Sequence, residues 1–212
     1  MSGRLRVVLA DDHAVVRTGY RRLLELEDDM EVVADFGDSD AACAWFANHE
    51  ADVLVLDLSM PGRGGLETLA RVKARQPGLR VLVFSMHDSP AMVCQALQAG
   101  ADGYLTKSSE PDALIDAVRK AARGERPLSP DVASALVADA GEAAHLALSP
   151  REFEIFRLLA AGRTVEQIAA RLFLSAKTVA NYQTLVRQKT GLASVLDMYR
   201  HAETHRLLDG TE

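Results

Sequence analysis

The chain has 212 residues and a formal net charge of −6, with 48% apolar and 25% charged residues. This is enough apolar matter for one large core or two small ones, and it excludes a collagen-like, low-complexity or disordered chain. No apolar run is long enough to span a bilayer, and the run at the N-terminus meets Asp11-Asp12 at once, so neither a membrane anchor nor a signal peptide is expected.

Two cysteines, Cys43 and Cys94, fall inside helical patterns. They read as small core residues of a reducing cytoplasm, not as a disulfide or a metal pair. The charge is unevenly spread. Residues 1–145 carry 15 Lys/Arg against 23 Asp/Glu, whereas residues 146–212 carry 9 against 7. Such asymmetry points to two parts with different jobs.

Strand-like apolar runs recur at 5–10, 31–34, 52–56, 80–84 and 102–105, with helical stripes between them. Val16, Tyr20, Leu23 and Leu24 share one face; Ala41, Ala44, Trp45 and Asn48 share another; Leu66, Leu69, Ala70 and Val72 share a third. Residues 91–97 follow Ser89-Pro90, read as a cap and a first helical residue. Leu114, Ile115, Val118 and Ala121 give the fifth stripe. Alternating βα units predict an α/β fold, a parallel sheet covered on both faces. Five units in about 120 residues suit a flavodoxin-like doubly wound domain with strand order 2-1-3-4-5.

That order makes neighbours of strands 1, 3, 4 and 5. Their C-terminal tips carry Asp11 and Asp12, Asp57, Ser85 and Lys107, and ligands of open α/β sheets bind at those tips. Two carboxylates about 4 Å apart repel by roughly 4 kcal/mol at an effective dielectric of ~20. Three together must take up a proton or bind a cation, and a hard divalent ion, Mg²⁺, is the natural partner for oxygen ligands. An acidic cluster beside a lysine is a site for handling phosphoryl groups. His13 and His87 flank the crevice and read as solvated loop residues.

The pattern weakens after Arg123. Residues 124–147 read as a linker that is partly helical, with a short helix at about 130–139 behind Ser129-Pro130-Asp131 and an Ala-rich stretch at 141–147. Ser149, Pro150 and Glu152 then open a strong helix with a capping box. Its inner stripe is Phe153, Phe156, Leu159 and Ala160. Thr164 and Gln167 form a second box, with Ile168, Ala169 and Leu172 turned inward. A tight turn at Phe173-Leu174 leads to Ser175, the cap of a third helix reaching about Lys189, and residues 193–207 give a fourth. Two short helices joined by a tight turn read as a helix-turn-helix, here an all-α C-terminal domain over 148–212. No Asp or Glu lies between Gln167 and Leu196, while Arg171, Lys177, Arg187 and Lys189 are present. This suits a phosphate-facing surface.

Residues 4–122 resemble the receiver domain of two-component response regulators. The resemblance rests on Asp11-Asp12-His13, on Asp57-Leu-Ser-Met-Pro-Gly-Arg-Gly-Gly-Leu66, on Gly100-Ala-Asp-Gly-Tyr-Leu-Thr-Lys107 and on the strand spacings. Residues 148–208, with Leu148-Ser-Pro-Arg-Glu152 and Ile168-Ala-Ala-Arg-Leu-Phe-Leu-Ser175, resemble the LuxR-type DNA-binding domain. Together they resemble the NarL/FixJ architecture: a receiver over 1–123, a linker over 124–147 and a helix-turn-helix domain over 148–212.

The resemblance implies that Asp57 accepts a phosphoryl group from a sensor histidine kinase. It implies Mg²⁺ held by Asp12, Asp57 and the main-chain carbonyl of Ser59, with Asp11 acting largely through bound water. Lys107 would pair with the acceptor and then with the phosphoryl group. Ser85 would swing in to a phosphoryl oxygen, and Tyr104 would turn inward with it. Slow self-dephosphorylation is expected, without enzymatic turnover of other substrates.

The third helix of such domains enters the major groove, and the protein binds as a dimer. The implied DNA contacts are Lys177, Thr178, Asn181, Tyr182, Thr184, Arg187 and Lys189. Ala180 and Tyr182 stand where the family commonly has lysine and histidine, which changes the contacts available. Asn181 could read adenine and Ala180 a thymine methyl. The expected partners are the kinase, promoter DNA, RNA polymerase and, on phosphorylation, a second copy of the chain, with no membrane. The alternative is a phosphorylation-independent regulator acting by protein contact or weak DNA binding. A third reading, an aspartyl phosphatase, lacks a nearby second acid after Leu58-Ser59.

Overall fold

A computed structural model describes residues 3–60, 64–138 and 147–208. Pro61-Gly62-Arg63 and the Ala-rich stretch expected to be weakly patterned lie outside the described residues, apart from Ala147.

The five strands are β1 (Leu5–Ala10), β2 (Met30–Phe36), β3 (Val53–Leu56), β4 (Arg80–Ser85) and β5 (Gly103–Thr106). They form one parallel sheet in the order β2-β1-β3-β4-β5. Alternation along each strand sends successive side chains to opposite faces. Val8, Ala10, Leu54, Leu56, Val81 and Val83 face one core, and Val7, Leu9, Val53, Val55, Leu82 and Phe84 face the other. The first core is roofed by α2 (Ser39–Trp45), α3 (Gly65–Arg75) and α4 (Pro90–Gln98). The second is roofed by α1 (Ala14–Glu25) and α5 (Pro111–Ala122). β3 is buried along its whole length, which is why its sequence is a continuous apolar run and not an alternating one.

Two expectations are corrected. The α2 stripe has another phase: Ser39, Ala42 and Phe46 are buried, whereas Ala44 and Asn48 are exposed and Asn48 lies beyond the helix. Phe46, just past the last turn, is the largest fully buried side chain there, while Trp45 packs on the core only in part, so the rotation places Phe46 inward. Ser89 stands at the start of α4, but its side chain makes no capping hydrogen bond. Pro90 at the first helical position removes one of the amides that need a partner.

The chain continues through α6 (Pro130–Ala138) to α7 (Pro150–Ala160), α8 (Val165–Arg171), α9 (Ala176–Thr190) and α10 (Val195–Thr204). Both expected capping boxes form, Ser149 with Glu152 and Thr164 with Gln167. Ser175 caps α9 through the amide of Thr178. A third box, Ser194 with Asp197, opens α10. The turn between α8 and α9 is closed by Phe173 at φ 53°, a left-handed conformation that costs a bulky residue about 1–2 kcal/mol.

The two halves touch. Arg151 of α7 lies 3.1 Å from Glu67 of α3 and 3.0 Å from Glu154. Glu154 reaches the backbone of Gly64, whose φ of +88° and missing side chain leave room for that carboxyl. Burial pushes the Glu154 carboxyl up to about 7; Arg151 works against the shift and Glu67 adds to it. A carboxyl raised from 4.5 contributes stability that is fully present below that pH and is lost as pH rises through about 7. Glu154→Gln should therefore melt with the parent at pH 5 and above it at pH 8. Melting curves at both values check this; a variant that melts lower at pH 8 would show that the charged form is the one the contact needs.

Candidate functional site

Three residues of the acidic crevice are each fixed by a ladder hydrogen bond one step past a strand. The Asp11 amide donates to the carbonyl of Phe36 (3.0 Å), that of Asp57 to Ala10 (2.8 Å) and that of Lys107 to Ser85 (2.8 Å). The neighbouring strand therefore holds each side chain at the sheet's C-terminal edge. The Lys107 ammonium lies 2.7 Å from Asp11 Oδ2 and 2.6 Å from Asp57 Oδ2. The Asp57 side chain is 1% exposed and that of Lys107 7%. Burial works against the Lys107 charge, but hydrogen bonds to Asp11 and Asp57 outweigh it and hold the ammonium above the ordinary lysine range.

The remaining oxygens are also directed. Asp57 Oδ1 accepts from the Ser59 amide at 3.0 Å, and Asp11 Oδ1 accepts from the His13 amide at 2.9 Å. Asp11, Asp12, His13 and Asp57 offer ligand atoms that all lie within 4.8 Å of one another. This oxygen-rich set could hold a divalent cation. His13 joins it through a Nδ1 that stands 2.9 Å from Asp12.

Beside the acids, Ser85 and Tyr104 meet at one residue. The His87 amide donates to Ser85 Oγ at 3.3 Å, and Tyr104 Oη donates to the His87 carbonyl at 2.7 Å. The Tyr104 ring is fully buried, and that burial drives its phenol well above the usual range. His87 Nε2 also lies 3.3 Å from Ser59 Oγ. Against its reading as a solvated loop residue, His87 is half-buried and joins Ser59, after β3, to β4 and β5. Hydrophobic periodicity carries no information about such a loop. Its position two residues after Ser85 was the only signal available.

On the helix-turn-helix, Lys177, Asn181, Thr184 and Arg187 are exposed along α9, while Thr178 and Tyr182 are half-buried. Thr178 Oγ1 pairs with Ser175 Oγ at 2.7 Å, and the Thr184 hydroxyl donates to the Ala180 carbonyl. Tyr182 lines a cleft of about 280 Å³ with Glu67, Arg71, Arg151 and Phe173. Lys189 is less available than its sequence suggests, because its ammonium sits 2.6 Å from Glu152. Along α10, Met198 and Ala202 are buried, whereas Leu196 and Tyr199 are 55% and 41% exposed. Among the described residues no helix is long and apolar enough to cross a membrane.

Comparison with known proteins finds both parts of the chain. The response regulator receiver domain family matches residues 7–119, and the family of bacterial regulatory proteins, luxR family, matches residues 146–202. The transcriptional regulatory protein UhpA of Salmonella typhimurium is 40% identical over 97% of this chain and 99% of that protein. The oxygen regulatory protein NreC of Staphylococcus carnosus is 37% identical over 97% of this chain and the whole of that protein. Among solved structures, RcsB from Salmonella enterica serovar Typhimurium, bound to promoter P1flhDC in the presence of the phosphomimetic BeF₃⁻, superposes with a TM-score of 0.71. It is 30% identical and covers 95% of this chain and all of that one. The flavodoxin-like sheet, its acidic edge and the appended helix-turn-helix, taken with these matches, place the chain in the NarL/FixJ family of response regulators, transcription regulators that join a receiver domain to a LuxR-type DNA-binding domain.

Proposed function

We propose that Asp57 is the phosphoryl acceptor, and that its phosphorylation by a sensor histidine kinase controls dimerisation and promoter binding. The observation that supports this most is the buried Asp57 carboxylate held 2.6 Å from the Lys107 ammonium beside two further acids. A carboxylate attacks a phosphoryl anion poorly unless cations offset the charge of both. Lys107 supplies one positive charge. Asp11, Asp12, Asp57 and the Ser59 carbonyl would hold Mg²⁺, Asp11 largely through bound water; when bound, the ion neutralises charge developing on the phosphoryl oxygens.

In the transfer, an Asp57 oxygen bonds to phosphorus as the P–N bond of the kinase phosphohistidine breaks, the electron pair staying with the imidazole. The product adds about −1.5 to −2 charge. Ser85 then turns its hydroxyl to a phosphoryl oxygen and gives up the His87 amide. His87 also receives the Tyr104 hydroxyl; the Tyr104 ring is already turned inward and fully buried, so the rearrangement falls on Ser85 and the His87 loop. Slow hydrolysis of the aspartyl phosphate returns the resting state.

Output runs through α9. Lys177, Arg187 and, once freed from Glu152, Lys189 would meet phosphates; Asn181 and Tyr182 would face bases, with Thr178 and Thr184 beside them. Exposed Leu196 and Tyr199 on α10 offer a surface for a second copy. The protein would act in the cytoplasm and present RNA polymerase with a promoter-bound dimer. The Lys189–Glu152 pair and the exposed Ala180, where the family commonly has lysine, favour a second reading: a regulator with weak DNA affinity that acts by protein contact.

Asp57→Asn should abolish labelling by acetyl phosphate; full labelling of that variant would remove Asp57 from the role. Promoter affinity measured across a salt series should fall with a log–log slope of about −0.9 per phosphate contacted. A flat, weak series would select the protein-contact reading. Lys107→Met leaves two buried carboxylates without their cation and should lower unfolding stability by about 3 kcal/mol in metal-free urea titrations, partly restored by added Mg²⁺. An unchanged midpoint would mean the acids do not depend on that ammonium.

A further inference from the structure

We propose that Asp131, in the linker helix, is a positioning residue for the Thr106–Lys107 end of β5, so that the linker and the phosphorylation pocket are coupled in both directions. The inference rests on the reading of Asp57 given above. After α5 the chain turns back along the outer edge of β5. The Tyr104 amide donates to the Pro127 carbonyl at 2.9 Å, and the Ser129 amide donates to the Tyr104 carbonyl at 3.1 Å. Leu128 and Tyr104 form a parallel bridge. Gly103 makes the approach possible, since a Cβ there would stand 2.8 Å from Pro127 Cγ.

The segment then grips the strand end. The buried Thr106 hydroxyl donates to Asp131 Oδ2 at 2.7 Å. Side chains alternate along a strand, so Lys107 turns to the acids while Thr106, its neighbour, turns to the linker. A shift of Lys107 toward a phosphoryl group must displace Thr106 and load the Asp131 contact. Val132, one residue on, is fully buried in the first core, and α6 packs on α4. From α4, Gln95 Nε2 donates to the Leu148 carbonyl at 3.4 Å, just ahead of α7. One continuous set of contacts thus runs from the pocket through Thr106, Asp131, α6 and α4 to the start of the DNA-binding helices. Coupling of this kind is reciprocal for binding equilibria.

The test uses the full chain as parent, Asp131→Ala, Thr106→Val and the conservative Asp131→Asn, whose amide oxygen still accepts. Two quantities are measured at one fixed salt: the affinity of beryllofluoride with Mg²⁺ by calorimetry, and the gain in promoter affinity that beryllofluoride produces. Asp131→Ala and Thr106→Val should reduce both by roughly tenfold, the scale of one charge-assisted hydrogen bond, and Asp131→Asn should retain most of each. A merely structural contact would lower the melting temperature and leave both ratios at the parent value; that result overturns the proposal. If the parent shows no gain in promoter affinity, the phosphorylation-control reading fails. The beryllofluoride affinities of the variants then decide the coupling alone: a drop supports it and parity with the parent overturns it.

Discussion

A single ammonium between two carboxylates decides much of this molecule. Asp11 and Asp57 come from adjacent strands and point into one crevice, where their charges, little exposed to solvent, oppose folding. Lys107 offsets them from the tip of β5. β3 and β5 lie two strand spacings apart, about 10 Å, so only a long stem carries a cation from one tip to the other. The arrangement therefore requires the order β1-β3-β4-β5 with no strand interposed, and it requires every tip to end at the same height. The ladder hydrogen bonds at Asp11, Asp57 and Lys107 meet that requirement, each binding a functional residue to the strand beside it.

The loops around the crevice are packed tightly enough to carry a displacement. Gly65 has no space for a side chain because the Leu58 backbone occupies it, so Leu58, directly after Asp57, lies flush against the start of α3. His87 collects three contacts from the other side, one each with Ser59, Ser85 and Tyr104. Close-packed interiors respond to strain by moving between discrete arrangements rather than by yielding gradually. Ser59, Ser85, His87 and Tyr104 are therefore linked closely enough that one cannot shift without loading the others.

The fold is largely legible in the sequence. Five apolar runs, five helical stripes and two capping boxes stand in the sequence because burial and helix-end chemistry impose them locally. The acidic edge is legible for the same reason: a carboxylate directly after a fully apolar strand is costly without a partner, and the two such tips, of β1 and β3, converge with Ser85 and Lys107 once the order is known. What could not be read depends on contacts between distant segments. The phase of α2 followed from Phe46 packing on the sheet. The capture of Lys189 by Glu152 joins residues of different helices, and the return of residues 127–129 to β5 leaves no periodic trace. The role of His87 belongs to the same class, since it arises from where three loops meet.

That return of the chain also changes the character of the sheet. An open parallel sheet has two bare margins, each a template for pairing with another chain. Here one margin is partly occupied by the protein's own backbone at Tyr104. The other belongs to β2, where Asp35 is held by Arg17 and Arg21 and the pairing with β1 slips between Val7 and Val8. Charge and irregular register on one side, and self-pairing on the other, guard the domain against sticking to other chains through its strands.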